Sequence, residues 1–358
     1  MANRKTLENL LGASALVVCS LILSGSAEAQ KVMAQPPYTI TPFVHSGKGF
    51  LYSKPDSLVQ WNDSVLVGYG NGVDKSGLDG KSSMIVQYSL RGTVQRMCSV
   101  LGHNDGLRVK PGTNELWALQ NEDGNPNAEP NLVIIDLENL ERKNYVIPSV
   151  NGGGGYDDIV FDGDKVFISA SNPQGGHYPG LIRLTLAGST VITEEVLNDD
   201  GSAVNIPTGH RVEDLGLTDP DSLTIDPRGN LVLDSQGDSE LVFIRHPGTE
   251  DQAVGLLPIT PSTVDDTAFA PSSPRTFLLA ADINGDTVYR IDSDPFGFES
   301  GVAYSGSDTD GIIGVLDLDN GVLTPFVTST ADPMTKNLSS FRGLLFVVPE
   351  EENNDRGR

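Results

Sequence analysis

The feature that most constrains this sequence is a short motif that recurs along it. An acidic residue and a small or acidic residue are followed by the first residues of an apolar run. Five copies keep the acid and a sixth has arginine in its place: Asp56-Ser57-Leu58, Asp105-Gly106-Leu107, Asp157-Asp158-Ile159, Asp221-Ser222-Leu223, Asp265-Asp266-Thr267 and Arg342-Gly343-Leu344. The starts are spaced from 44 residues (Asp221 to Asp265) to 77 residues (Asp265 to Arg342). A repeat of this length indicates a modular architecture.

The segments between the motifs predict an all-β fold. No segment has a sustained helical period, and short apolar runs are separated by Gly, Asn, Asp and Pro. Each of the first five motifs is followed by two further apolar strands, which for the motif at Asp265 are Phe277 to Leu279 and Val288 to Ile291. Four strands in about 50 residues are typical of a propeller blade.

The two ends of the chain predict how the ring closes. Thr41-Pro42-Phe43-Val44 recurs as Thr324-Pro325-Phe326-Val327, and both resemble outer blade strands. We therefore expect residues 39–46 to complete the blade begun by residues 342–348, whose middle strands the sequence does not identify. Residues 302–318 are interpreted as an extra hairpin. Six blades are favoured over seven, and a solenoid or two β-sandwiches explain the terminal match less well.

The first 29 residues predict a signal peptide. Arg4 and Lys5 precede a short apolar run, and Ala27-Glu28-Ala29 supplies a small-x-small cleavage pattern. A membrane anchor would need about 20 apolar residues. We expect an exported protein without a membrane anchor, periplasmic or extracellular, with a single propeller domain over residues 30–350 and a disordered acidic tail over residues 351–358.

The net charge of −24 excludes some partners. Such an acidic surface repels nucleic acid, and it favours solubility or cation binding. Ordinary acidity of exported proteins is the alternative explanation. We expect a monomer with a small-molecule or glycan ligand.

The propeller fold predicts that the repeated acids meet. The first strand of each blade lines the central channel, so the six motif starts converge at one mouth. Repulsion among the carboxylates would raise the pKa of some of them unless a cation neutralises them. Ca²⁺ fits several oxygen ligands in irregular geometry, whereas Zn²⁺ is disfavoured because the sequence has no cluster of His or Cys. Turn capping by Asp is the structural alternative.

The repeat resembles the senescence-marker-protein/gluconolactonase and paraoxonase-like propellers, which are six-bladed Ca²⁺-dependent lactonases and esterases. The resemblance is carried by Asn104-Asp105-Gly106-Leu107 and by the segment from Pro220 to Asn230. It implies that Asp221 is a metal ligand and a base, and that Asn104 contacts substrate. The family's two other ligands, a Glu and an Asn, fall at Asp56 and Asp157. A family arginine that contacts substrate falls at Gly102.

Two functional hypotheses follow. In the first, Ca²⁺ on Asp56, Asp157 and Asp221 serves a lactone or ester hydrolase, in which Asp105 or Asp265 assists as a base. In the second, a non-catalytic propeller binds a small molecule, glycan or protein through its loop-rich face. The candidate substrate contacts are His103, Asn104, Arg342, Asn121 and Asn172. For His103 and the asparagines, ordinary loop or turn roles are the alternative.

Overall fold

A computed structural model describes residues 31–121, 131–150, 152, 154–173, 176–332 and 335–350, with the side chain of Asn121 excluded. These residues form an all-β structure with one short 3-10 turn, Gln236–Asp238. The predicted signal peptide and acidic tail lie outside them. No helix within the described ranges is long and apolar enough to cross a membrane.

The strands are numbered in chain order. The first third of the chain forms β1 (Val32–Ala34), β2 (Tyr38–His45), β3 (Pro55–Trp61), β4 (Ser64–Tyr69), β5 (Ser82–Ser89), β6 (Val94–Leu101), β7 (His103–Val109), β8 (Glu115–Asn121) and β9 (Asn131–Asp136). The middle forms β10 (Arg142–Val146), β11 (Tyr156–Asp162), β12 (Lys165–Ala170), β13 (Pro179–Ala187), β14 (Thr190–Asn198), β15 (Ala203–Asn205), β16 (Arg211–Val212), β17 (Pro220–Ile225) and β18 (Leu231–Ser235). The last part forms β19 (Glu240–Arg245), β20 (Ala253–Pro258), β21 (Asp266–Phe269), β22 (Phe277–Asp282), β23 (Thr287–Ser293), β24 (Ala303–Gly306), β25 (Ile312–Leu316), β26 (Leu323–Ser329) and β27 (Phe341–Val347).

The strands form six sheets, which are the blades of a β-propeller. From the inside outwards, blade one is β3-β4-β5-β6, blade two is β7-β8-β9-β10 and blade three is β11-β12-β13-β14. Blade four is β17-β18-β19-β20 with β15 and β16 added at its outer edge. Blade five is β21-β24-β25-β26-β1, and blade six is β27-β22-β23-β2. The inner strands contact one another in a closed ring, β27 against β3 included.

The predicted closure is confirmed. Strand β2 is the outer strand of blade six and pairs with β23, while β27 from the C-terminal part of the chain is its inner strand. A second strand pair also joins the N-terminal and C-terminal parts of the chain, because β1 pairs antiparallel with β26 at the outer edge of blade five. Two adjacent blades thus each contain strands from both ends of the chain.

The assignment of the strands after Asp265 was wrong. Residues 277–293 do not continue the blade that begins there; as β22 and β23 they are the middle strands of blade six. The supposed extra hairpin, β24 and β25, provides the middle strands of blade five. The connection after β21 explains the exchange, since residues 270–276 contain Pro271 and Pro274 and are too long and stiff for a tight hairpin.

Packing between neighbouring blades provides the core. One apolar cluster joins blades one and six through Tyr69, Val86 and Leu279, and another joins blades three and four through Phe167, Leu223 and Val242. Each sheet alternates inward and outward side chains, so it buries both faces against its neighbours. The ring of blades holds the inner strands in fixed positions around the channel.

Candidate functional site

Five of the six inner strands carry one extra residue at the repeat motif. In β3, for example, Pro55 faces Tyr69 but Leu58 faces Val67, so three steps on one strand match two on the other. The same irregularity occurs in the inner strands of blades two, three, four and six. Side chains of a regular strand alternate between faces, whereas a β-bulge redirects one of them. Consecutive motif residues such as Asp157 and Asp158 therefore both reach the channel.

The predicted convergence at the channel mouth is what the structure shows. One cavity of about 40 Å³ is lined by the first residue of every motif. We call these residues the mouth ring: Asp56, Asp105, Asp157, Asp221, Asp265 and Arg342. A water molecule needs about 10–15 Å³ measured in this way, so the cavity has room for an ion with a little water. An organic substrate would have to bind above it.

The wall of the cavity carries more negative than positive groups. Seven aspartates line it, because Asp158 and Asp266 join the mouth ring, against the cationic side chains of Lys75, Arg108 and Arg342. Burial raises the pKa of Asp56 to about 6, with Asp105 adding to the rise and Arg342 opposing it. Carboxylates packed this closely in low dielectric cannot all ionise without a cation.

Asp221 and Asp265 form a second acidic pair in the wall. Burial, followed by the charge of Asp265, raises the pKa of Asp221 well above its ordinary value. Burial also raises the pKa of Asp265 well above that value, although Arg342 opposes the rise. Gln236, from the 3-10 turn of blade four, donates to Asp265 Oδ1. The pair is therefore placed to hold a proton, and to accept or release one near the cavity.

Arg342 occupies the place of the sixth acid. Its Nη2 lies 3.7 Å from Asp308 Oδ2, a residue of the turn between β24 and β25. Burial lowers the pKa of the guanidinium, but the surrounding carboxylates, Asp265 first, outweigh burial and raise it. Arg342 is thus a fixed positive charge in the wall, and its Nε has no hydrogen-bond partner.

A tighter group lies between blades one and two. Ligand atoms of Asp56, His103 and Asp105 lie within 4.8 Å of one another, and this is the only such group of acidic, His or Cys side chains among the described residues. His103 Nε2 is 3.3 Å from Asp105 Oδ1. Burial lowers the pKa of His103, but the Asp105 carboxylate outweighs that effect, so the pKa is raised overall.

The predicted calcium set is only partly assembled. Asp56, Asp157 and Asp221 all line the cavity, but Asp157 and Asp221 are outside the group formed around His103. These three side chains therefore share a cavity without forming a compact ligand set. A calcium site on them stays a prediction.

The predicted substrate contacts are distributed differently. Asn104 is fully buried, its Nδ2 donates to Leu119 O at 2.6 Å, and it does not line the cavity. Asn172 lies in the loop before β13 with a left-handed backbone, and its Nδ2 donates to Ser171 Oγ. These geometries fit structural roles in strand and turn. Asn121 ends β8, and its side chain lies outside the described residues.

A layer of residues directly below the mouth ring was not singled out from the sequence. We call the second residues of the motifs the second layer: Ser57, Gly106, Asp158, Ser222, Asp266 and Gly343. Asp158 Oδ2 accepts from Leu223 N at 2.9 Å, Ser222 Oγ donates to Asp265 O at 2.6 Å, and Asp266 Oδ2 accepts from Leu344 N at 2.6 Å. Each bond joins one inner strand to the next blade. The Asp-Asp doublets were the available signal.

Two glycines of the second layer allow the inner strands of neighbouring blades to approach closely. A Cβ on Gly343 would lie 2.1 Å from Asp56 O, and one on Gly106 would lie 2.5 Å from Asp157 O. The backbone of the next blade therefore occupies the position that a side chain would need. A larger residue would separate the inner strands.

Two cations were also missed by sequence reasoning. Lys75, from the loop between β4 and β5, places Nζ 3.8 Å from Asp105 Oδ2. Arg108 of blade two reaches across the channel, and its Nη2 donates to Asp158 Oδ2 and to Leu223 O, both at 2.8 Å. Arg108 lines both the mouth cavity and a second cavity further down the channel. The Arg108 side chain thus lies between the mouth cavity and the lower cavity of the channel.

Known proteins that are similar to this chain were found by structure and not by sequence. No family model and no curated protein sequence matches the chain. Solved structures similar to it include a virginiamycin B lyase from Staphylococcus aureus, with 11% identity, 83% of this chain and 75% of that chain covered, and a TM-score of 0.43. Another is a gluconolactonase candidate from structural genomics, with 12% identity, 87% and 96% covered, and a TM-score of 0.41.

A third similar structure is a protein of unknown function from Bacteroides thetaiotaomicron, with 11% identity, 86% and 70% covered, and a TM-score of 0.47. The predicted resemblance to gluconolactonase-like propellers thus has a counterpart among solved structures. Similarity at this level carries no information about activity. The chain is a six-bladed β-propeller with an acidic site at one channel mouth.

Proposed function

We propose that the protein is an exported hydrolase of a lactone or ester that uses a divalent cation bound at the channel mouth. The observation that carries this proposal is the meeting of five motif aspartates around a cavity of about 40 Å³. A space of that size, lined by buried carboxyl groups in excess over cations, suits a metal ion better than any organic ligand.

The bound cation would polarise a carbonyl group and lower the pKa of water. Ca²⁺ is the ion that the family resemblance implies, with Asp56, Asp157 and Asp221 as its ligands. The oxygen-rich wall supplies the kind of donor that Ca²⁺ prefers. The affinity of Ca²⁺ for this site is the first quantity to measure.

The chain itself supplies the proton-transfer groups and a positive charge. Asp221 and Asp265, whose pKa values are raised by burial, can share a proton and exchange it with a substrate. The fixed guanidinium of Arg342 can stabilise negative charge that develops on a substrate oxygen. Asp105 stands on the opposite side, between His103 and Lys75.

The second candidate function is a non-catalytic propeller that binds a small molecule, glycan or protein. The mouth cavity of about 40 Å³ is too small to hold an organic substrate beside the ion, so an organic ligand would bind to the loops above it. The glycine at position 102, where the resembling family has a substrate-contacting arginine, favours the non-catalytic function. In this case the cation would stabilise the ring of inner strands.

A panel of lactones and aryl esters, tested on the mature chain with and without added divalent cations, separates the two candidates. We expect cation-dependent turnover that Asp221→Asn and Asp265→Asn reduce by at least about 100-fold, since positioned acid–base groups contribute 10²–10⁴-fold. Asp164→Asn is the matched control, because Asp164 is exposed in the turn at the far end of the same propeller. Cation binding without turnover of any substrate would favour the non-catalytic function.

A further inference from the structure

We infer that the cation at the channel mouth is bound by Asp56, His103 and Asp105, and that it is a divalent ion that accepts imidazole, such as Zn²⁺ or Mn²⁺, rather than Ca²⁺. This inference rests on the proposed cation site and specifies its ligands. The sequence did not favour Zn²⁺, because it has no cluster of His or Cys. The folded chain instead places a single histidine between two aspartates.

The ligand atoms come from two neighbouring blades. Asp56 belongs to the bulge of β3, while His103 and Asp105 belong to the start of β7. One atom from each of the three lies within 4.8 Å of the other two. Atoms that bind one ion at 2.0–2.2 Å are separated by about 3–4 Å, so small side-chain rotations would complete the site.

Unsatisfied atoms provide the second and independent observation. His103 is 7% exposed and Asp56 is 8% exposed. His103 Nδ1 and Asp56 Oδ2 have no hydrogen-bond partner, and His103 Nε2 has only its contact with Asp105. Buried polar groups that are left unpaired destabilise the fold, so they are rare without a ligand. A bound ion satisfies Asp56 Oδ2 and one ring nitrogen together.

The backbone beneath the imidazole is shaped to hold it. A Cβ on Gly70 would lie 3.1 Å from His103 Cε1, which is tighter than ordinary van der Waals contact. Gly70 N donates to Lys54 O at 2.9 Å, so this backbone is held in place. The ring of His103 thus has a fixed position over a residue without a side chain.

The donor set selects the class of ion. Ca²⁺ takes six to eight oxygen ligands, whereas imidazole with carboxylates suits Zn²⁺, Mn²⁺ and related ions. Three protein ligands also leave coordination positions for water, as in catalytic zinc sites. The adjoining cavity of about 40 Å³ provides space for that water.

Lys75 is the competing cation. Its Nζ lies 3.8 Å from Asp105 Oδ2, and its side chain is 46% exposed. A half-exposed lysine can withdraw into solvent when a divalent ion binds to the carboxylate. Lys75→Met should therefore increase the affinity for the ion, whereas a purely structural Lys75–Asp105 pair predicts only a change in stability.

The test is calorimetric titration of metal-stripped full-length protein with Zn²⁺, Mn²⁺ and Ca²⁺, each alone. We expect Zn²⁺ to bind more tightly than Ca²⁺. We also expect His103→Gln to weaken Zn²⁺ binding by at least about tenfold, since even the loss of a group that only orients a metal ligand costs about 10–100-fold. His177→Gln is the matched control, because His177 is an exposed histidine paired with Asp200. It should leave Zn²⁺ affinity within about twofold.

Co²⁺ provides a readout that does not depend on activity. Visible absorption of the Co²⁺-loaded protein should change on His103→Gln, because the ligand field loses its nitrogen donor. If that variant does not fold, Gly70→Ala serves in its place, since it displaces the imidazole without removing it. Its expected effect is a weaker Zn²⁺ affinity at unchanged Ca²⁺ affinity.

Two results would overturn the inference in distinguishable ways. Tight Ca²⁺ binding that Asp157→Asn and Asp221→Asn abolish, and that His103→Gln leaves intact, would reject this ligand set and retain the proposed function. Failure of every divalent ion to bind would reject both, and would leave Lys75 and protonated His103 as the charges that balance the carboxylates.

Discussion

The mouth ring and the second layer are one residue apart along each inner strand, yet their side chains have different roles. Asp157 and its neighbour Asp158 both line the cavity, but Asp158 also accepts hydrogen bonds from Ile159, Leu223 and Arg108. Mouth-ring residues surround a space, and second-layer residues connect one blade to the next. An aspartate at the first motif position thus faces the cavity, while an aspartate one residue later also bonds to the next blade.

The comparison is tested most strongly by removing a satisfied second-layer carboxylate. Asp158→Ala would remove the carboxylate partner of Arg108 and leave Leu223 N without its acceptor. We expect a loss of about 3–5 kcal/mol in the free energy of unfolding, measured by urea denaturation. The same change in the mouth ring, Asp221→Ala, should cost less than about 1 kcal/mol in metal-free protein. Equal losses would contradict the distinction.

The second prediction concerns the pH dependence of stability in metal-free protein. The pKa of Asp56 is about 6 in the folded chain against an ordinary value of 3.8, so the native state keeps this proton to higher pH than the unfolded chain. Stability is therefore lost as the pH rises from about 4 through 6. Asp56→Asn should reduce that loss by about 2–3 kcal/mol, at 1.36 kcal/mol per pKa unit.

Free energies of unfolding at pH 4 and pH 7.5, in the presence of a chelator, measure this effect. Asp164→Asn is again the control, because its side chain is exposed. If Asp56→Asn leaves the pH dependence of the unfolding free energy unchanged, the pKa of Asp56 is not raised in the folded protein and this prediction is wrong.

The third prediction tests close approach between blades. Gly343→Ala would place a Cβ 2.1 Å from Asp56 O, so blades six and one would have to separate. We expect a loss of about 2 kcal/mol, within the range for overpacking. The control is Ser57→Ala, since the second-layer position of blade one already carries a Cβ. A tolerated Gly343→Ala would mean that this junction is loose.

The smallest expected effect comes from a neutral second-layer bond. Ser222→Ala removes the donation from Ser222 Oγ to Asp265 O. We expect a loss of about 1 kcal/mol, typical of one hydrogen bond between uncharged groups. Thermal melting of this variant beside Ser57→Ala would show whether the bond contributes. A larger effect of Ser57→Ala would reverse the expectation.

The success and failure of the sequence predictions have different physical origins. The motif residues were identified correctly as neighbours because a propeller repeats one strand position around an axis, so equivalent residues must converge. The bulge that turns both residues of Asp157-Asp158 toward the channel is a matter of pairing between strands. No local pattern in the sequence specifies the bulge. The Asp-Asp doublets marked two second-layer positions, but not the hydrogen bonds that these residues make to the next blade.

The assignment of β22 and β23 to blade five failed for a related reason. Alternating apolar residues such as Phe277 and Leu279 predict a strand, but they do not predict which strand lies beside it. The two prolines in residues 270–276 were a usable signal, because the other inner strands are followed by turns without such a pair. Tertiary packing placed β22 next to β27 and closed blade six.

The sequence by itself determined the number of repeats, the strand at which each begins and the charge brought to the channel mouth, because these depend on local pattern and on the symmetry of a closed ring. Only the tertiary structure decided which strands pair within blades five and six, and which aspartates accept hydrogen bonds from the next blade. It also decided that His103 lies close to both Asp56 and Asp105. Those properties depend on contacts between residues far apart in the chain, and such contacts cannot be predicted from the residues next to each position in the sequence.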